Sequence, residues 1–166
     1  MQYLTLASAI LSSALLVSAA PTGSESNLTP RSCSTAYPES IGFPINYVIS
    51  QDAGAVNKRD DAISFNNIPE GSYGCTLEVD FPAGYPITSS GNAQVYVFAE
   101  DGPSAGSQVG TVNFASSPVA PFKYVINSFT CRPSMSFRMS IGSTTDAGSV
   151  AFADTKDAGI TMKYNC

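Results

Sequence analysis

From Cys33 onward, short runs of alternating apolar and polar side chains are separated by clusters of turn-forming residues. Thr76-Leu77-Glu78-Val79-Asp80-Phe81 is the clearest run. Side chains alternate across a strand, so Leu77, Val79 and Phe81 share one face, and Thr76, Glu78 and Asp80 share the other. Phe137, Met139 and Ile141 alternate in the same way with Ser136, Arg138 and Ser140. Val95 and Val97 oppose Gln94, Tyr96 and Phe98, which makes a less polar outer face. One-sided burial of period two belongs to antiparallel sheets.

The runs are Pro44–Ser50, Ala62–Asn66, Gly74–Phe81, Ala93–Ala99, Val109–Phe114, Lys123–Cys131, Ser134–Ile141, Val150–Ala153 and Ile160–Tyr164. Between them lie Ile68-Pro69-Glu70-Gly71, Pro82-Ala83-Gly84, Ser90-Gly91-Asn92, Asp101-Gly102-Pro103 and Asp146-Ala147-Gly148. Glycine supplies positive φ there, and Asp and Asn close local turns. About nine short strands with no helical period predict an all-β, antiparallel β-sandwich.

The first twenty residues follow a different pattern. Leu4 to Val17 is apolar or small throughout, too short to cross a bilayer comfortably, and it ends in Val17-Ser18-Ala19-Ala20 before Pro21. This reads as a secretory signal peptide, although its n-region lacks Lys and Arg, and the rival is a membrane anchor. A proline directly after the cut inhibits processing, so cleavage is expected after Ala19. The resulting organisation is a signal peptide over 1–19, a flexible polar arm over 20–32 and the sandwich over 33–166. The arm holds the chain's one glycosylation sequon, Asn27-Leu28-Thr29, followed by Pro30. Arg31 is a candidate processing point. Lys58-Arg59 resembles a dibasic processing site more closely; beside Asp60 and Asp61 it also reads as a solvated polar loop.

An oxidising compartment changes the reading of the four cysteines. Cys33, Cys75, Cys131 and Cys166 lack the close spacing of zinc or thioredoxin motifs, so disulfides are expected. Four cysteines allow three pairings. The preferred one joins Cys75 to Cys131 in the body and Cys33 to Cys166 across the ends, with the others open.

Composition removes several functions. The net charge of −5 and pI near 4.4 oppose binding to nucleic acid, which needs a basic footprint. The chain has no histidine, which eliminates Ser-His-Asp and Cys-His nucleophile pairs and imidazole metal sites. Ser72 and Ser140 therefore lack a base. Glu78 and Asp80, two apart on one strand face, are the best paired carboxylates, a geometry glycosidases use; a solvated strand face is the plainer reading. Glu100-Asp101-Gly102 and Asp154-Thr155-Lys156-Asp157 offer oxygens of the kind calcium takes, without a dedicated loop's spacing. No cofactor or metal is expected. Tyr73, Tyr85 and Tyr96 are candidates for a shallow aromatic ligand platform, weighed against rings in the core with hydroxyls at the surface.

Phe65-Asn66-Asn67-Ile68-Pro69, then Gly74-Cys75-Thr76-Leu77-Glu78-Val79-Asp80-Phe81-Pro82, resembles the C-terminal domain of fungal ubiquitin-3-binding, But-type proteins. Ser128-Phe129-Thr130-Cys131 and the terminal Tyr164-Asn165-Cys166 extend the resemblance over roughly Cys33 to Cys166. It implies a β-sandwich in a secreted or wall-associated fungal protein and carries over no catalytic residue. The family name implies a partner that activates a ubiquitin-like modifier. The leading expectation is a secreted, monomeric, non-enzymatic module acting at the cell wall or as an effector, on an extracellular glycan or protein. The alternatives are a carbohydrate-active enzyme using Glu78 and Asp80, and a binding partner of that activating enzyme.

Overall fold

A computed structural model describes residues 32–39 and 43–166. The segment 1–19 expected to be a signal peptide, Asn27 and Arg31 lie outside the described residues. Twelve strands follow one another: β1 (Ser34–Ala36), β2 (Ile45–Asp52), β3 (Val56–Arg59), β4 (Asp61–Phe65), β5 (Cys75–Phe81), β6 (Ile87–Gly91), β7 (Gln94–Ala99), β8 (Gln108–Asn113), β9 (Phe122–Phe129), β10 (Met135–Ile141), β11 (Gly148–Asp154) and β12 (Gly159–Tyr164). A short 3-10 turn at Gly102–Ser104 is the one helical element among the described residues. No helix there is long and apolar enough to cross a membrane.

The strands form three four-stranded antiparallel sheets. Sheet I has the order β1-β12-β5-β9, sheet II β4-β10-β7-β8 and sheet III β3-β2-β11-β6. Every run expected from alternation is a strand, and three more strands join them, so the count is twelve instead of about nine. The additions are β1, β3 and β6, and each is the edge strand of its sheet. Lys58-Arg59 therefore lies on edge strand β3 and not in a loop.

All three sheets turn one face inward to a common core. In β5 the buried positions are Cys75, Leu77, Val79 and Phe81, the face that alternation selects. Val95, Val97 and Ala99 of β7 and Phe137, Met139 and Ile141 of β10 join it from sheet II. Ile49 of β2 with Val150 and Phe152 of β11 join it from sheet III. Aromatic rings fill the centre: Phe152 lies 4.7 Å from Phe114 and 5.3 Å from Phe81. Offset or edge-on pairs of this kind each contribute about 1 kcal/mol beyond area burial.

Where β8 of sheet II runs beside β9 of sheet I, Gly110 permits the close approach, because a Cβ there would collide with the Ile126 side chain. Asn127 Nδ2 also donates to the Val109 carbonyl across this seam. Two disulfides complete the scaffold in the preferred pairing. Cys75–Cys131 has Cα atoms 5.1 Å apart, and Cys33–Cys166 has them 4.4 Å apart. Among the described residues no cysteine is free.

Candidate functional site on the outer face of sheet II

Because Val95, Val97 and Ala99 take the inner face of β7, Tyr96 and Phe98 are turned outward. The register then sets Ser140 opposite Tyr96 and Arg138 opposite Phe98 on β10. On the other flank, β8 sets Thr111 opposite Tyr96 and Gln108 opposite Phe98. Gln108 Nε2 donates to Thr111 Oγ1 at 3.0 Å, which holds that amide along the rim.

Both rings are bedded on the sheet. The guanidinium carbon of Arg138 sits 4.6 Å from the centre of the Phe98 ring, a cation–π contact. Arg138 is anchored by Asp60, between β3 and β4, and reaches Glu100 at 3.9 Å. Tyr96 lies against Gly142, where a Cβ would come within 2.5 Å of a ring carbon. A glycine at this position lets the ring lie close to the backbone. The result is a shallow cleft of about 380 Å³ lined by Tyr96, Phe98, Arg138, Asp60, Gln108 and Lys58, among others. It pairs aromatic surface with donors and acceptors on a rigid sheet, the makeup of a site that binds small polar ligands.

The other candidate tyrosines stand elsewhere. Tyr85 is partly buried against the core, its ring 5.0 Å from Phe81 and its hydroxyl donating to the Ala153 carbonyl at 2.8 Å. Tyr73 is exposed in the loop before β5, where its backbone N–H donates to Asn165 Oδ1 and its carbonyl accepts from Asn165 N–H. Of the three, Tyr96 lines the cleft, with Phe98 as its aromatic neighbour.

Glu78 and Asp80 do share the outer face of sheet I, over an open depression of about 400 Å³ that includes Lys123 and Lys163. Asp80 is engaged by Lys123 Nζ at 2.7 Å, and this contact raises the lysine's pKa. A general acid needs an apolar enclosure that holds its proton. This face is open, and Asp80 is ion-paired there.

The acidic turn segments have other work. Asp101 Oδ1 accepts from Arg132, and its Oδ2 accepts from Ser136 N–H at 3.1 Å. That carboxylate fastens the loop beside a cleft of about 340 Å³ floored by Phe129, Met135 and Phe137. Asp154 is wholly buried at the end of β11. Its Oδ2 accepts the Ile160 N–H at 2.9 Å, and Oδ1 has no partner. Gly159, at φ +145°, passes so close that a Cβ would strike the carboxyl. Burial pushes the Asp154 pKa from 3.8 up to about 7, and the Ile160 N–H offsets only part of that. Tyr47 is the neighbouring titratable group; burial first, then Asp154 and Asp61, push its hydroxyl well above its usual value.

Sequence reasoning missed Arg138, Phe98 and Asp60 as site residues. The signal for Phe98 was present, since it occupies a polar-face position next to Tyr96 in an otherwise regular strand. Arg138 and Asp60 meet only through the β4–β10 pairing, which no local pattern encodes.

A scan of the chain against models of known protein families finds no match, and neither do searches of curated proteins and of solved structures.

Proposed function

We propose that this protein is a secreted, non-enzymatic binding module that takes a cell-wall polysaccharide on the outer face of sheet II. The observation that carries this reading is the bedded pair Tyr96 and Phe98 beside Arg138, Asp60 and Gln108. The C–H bonds of a pyranose face carry partial positive charge and rest on the negative face of an aromatic ring. Its hydroxyls meet amide, carboxylate and guanidinium partners at the rim. Arg138 is already paired, so the site needs little ordering on binding.

Secretion is supported by the leader-like 1–19 segment and by two disulfides with no free cysteine among the described residues. The resemblance to But-type C-terminal domains supports a fungal wall setting. Open, ion-paired Asp80 favours binding over hydrolysis.

Calorimetry of the secreted protein with soluble β-glucan and chitin oligosaccharides tests the reading. Replacing Tyr96 by alanine is expected to weaken binding about tenfold, from the loss of roughly 1–1.5 kcal/mol of stacking. Tyr73→Ala, on an exposed loop remote in sequence from β7, is expected to leave affinity unchanged. Equal affinity of wild type and Tyr96→Ala would overturn the assignment.

A further inference from the structure

We propose that Lys58-Arg59 is an endoproteolytic processing site, and that cutting there yields a two-chain protein held together by Cys33–Cys166. Three independent features converge on this bond. The first is composition: among the eight basic residues of the chain, Lys58 and Arg59 are the one adjacent pair. The second is exposure. All four residues of β3 are exposed, and β3 is the outermost strand of sheet III, with one backbone edge free. A protease reads its substrate as an extended strand added to its own edge; β3 presents Lys58 and Arg59 at such an edge, and Asn57, at φ 51°, extends on binding. The remaining basic side chains of the described region are less suited. Arg138 lies inside sheet II, Lys163 inside sheet I, Arg132 precedes Pro133, Lys123 is paired to Asp80, and Lys156, though exposed, stands singly in a turn between Thr155 and Asp157. Among the described residues neither Lys58 nor Arg59 is in an ion pair.

The third feature is the short, irregular pairing of β3, which ends where Asp60 is tied to Arg138 and Asp61 accepts the Val48 N–H. The strand meets β2 at Ser50↔Arg59 and Asp52↔Val56 with an irregular register between them. Ala55 and Asn57 carry φ of 55° and 51°, left-handed conformations that side chains other than glycine rarely adopt. Such an edge opens more readily than an interior strand.

The reaction is hydrolysis of the Arg59–Asp60 peptide bond. Water supplies hydroxide to the Arg59 carbonyl carbon and a proton to the Asp60 nitrogen, leaving a carboxylate and an ammonium. The first chain keeps β1, β2 and β3, and the second keeps β4 to β12. Cys33 lies on the first and Cys166 on the second, so the disulfide spans the cut. The new termini also fall between Lys58 and Asp60, two residues lining the Tyr96 cleft, so processing rewrites the charge at its rim.

This inference shares with the proposed function only the premise of secretion, and a test on purified protein removes that dependence. Native and reduced-denatured samples are treated with an endoprotease specific for Lys-Arg pairs. The native protein is expected to give one product, a single band without reductant and two bands with it, and sequencing is expected to read Asp60-Asp61-Ala62 as a new start. Arg59→Ala is expected to abolish the cut while the protein melts as wild type. A native chain that stays whole while the unfolded one is cut would overturn the proposal, as would separation of the pieces without reductant. In cells, secreted material is expected to carry the Asp60 start only when the host has such a protease. A single chain secreted from a competent host would overturn it too. Retention of the protein inside the cell would count against the proposed function, while the purified sample still decides the cleavage.

Discussion

Replacing Asp154 by asparagine is expected to make the protein more stable than wild type at pH 8 and about equal to it near pH 4. The folded carboxyl has its pKa pushed from 3.8 up to about 7, so over this window the folded state holds a proton that the unfolded state has released. Its contribution is full below the unfolded value, and it falls away as pH rises through about 7. Three pH units correspond to at most about 4 kcal/mol, since each unit is worth about 1.4 kcal/mol. Asparagine keeps an acceptor for the Ile160 N–H and cannot ionise. Melting temperatures of the two proteins should therefore converge in acid and separate by roughly 10 °C at pH 8. Parallel profiles across this range would show that the buried carboxyl does not titrate as described.

Removing the two disulfides one at a time is expected to give unequal losses, in an order opposite to loop length. Chain entropy alone assigns about 4 kcal/mol to the Cys75–Cys131 loop and about 5 kcal/mol to the Cys33–Cys166 loop. Burial reverses the order. Cys75 is fully buried in the core, so a Cys75→Ala, Cys131→Ala double variant loses packing as well as the constraint. Cys33 and Cys166 are exposed, and the strand they fasten, β1, has three residues. Without that bridge β1 frays from β12 while the rest of the domain stays folded. Urea unfolding should show a loss of about 4 kcal/mol or more for the inner double variant and about 2 kcal/mol for the outer one. An outer loss equal to or larger than the inner one would mean that the N-terminal strand is integral to the cooperative unit.

How much of the fold was legible in the sequence depended on burial. Strands with one buried face announce themselves by alternation, as Cys75–Phe81 and Met135–Ile141 do, because the core demands an apolar side chain at every second position. Edge strands β1, β3 and β6 place no side chain in the fully buried core, so no alternation marks them. Val56-Asn57-Lys58-Arg59 is indistinguishable from a loop by composition, yet it pairs with β2. Asp154 was legible only as a turn acid. Its burial follows from the corner between β11 and β12, where Gly159 makes room for the carboxyl.

The candidate site was legible in half-measure for a related reason. Tyr96 could be placed on an outer face by counting from Val95 and Val97. Tyr85 could not be distinguished from it, since a loop residue has no periodicity to say whether its ring turns inward, and this one packs tilted against Phe81. Arg138 acquires its meaning from a cross-strand partner, Phe98, forty residues away in the chain.

The proposed function has sheet II presenting a binding surface on which the bound sugar stays intact. Its most direct test is an NMR titration of the secreted, disulfide-intact protein with soluble wall oligosaccharides, following both protein amides and sugar anomeric signals. The expected result is a set of shifts concentrated around Tyr96, Phe98, Arg138 and Gly142, with the sugars intact after prolonged incubation. Shifts centred on Glu78 and Asp80 with new reducing ends appearing, or no shifts with any wall oligosaccharide, would contradict it.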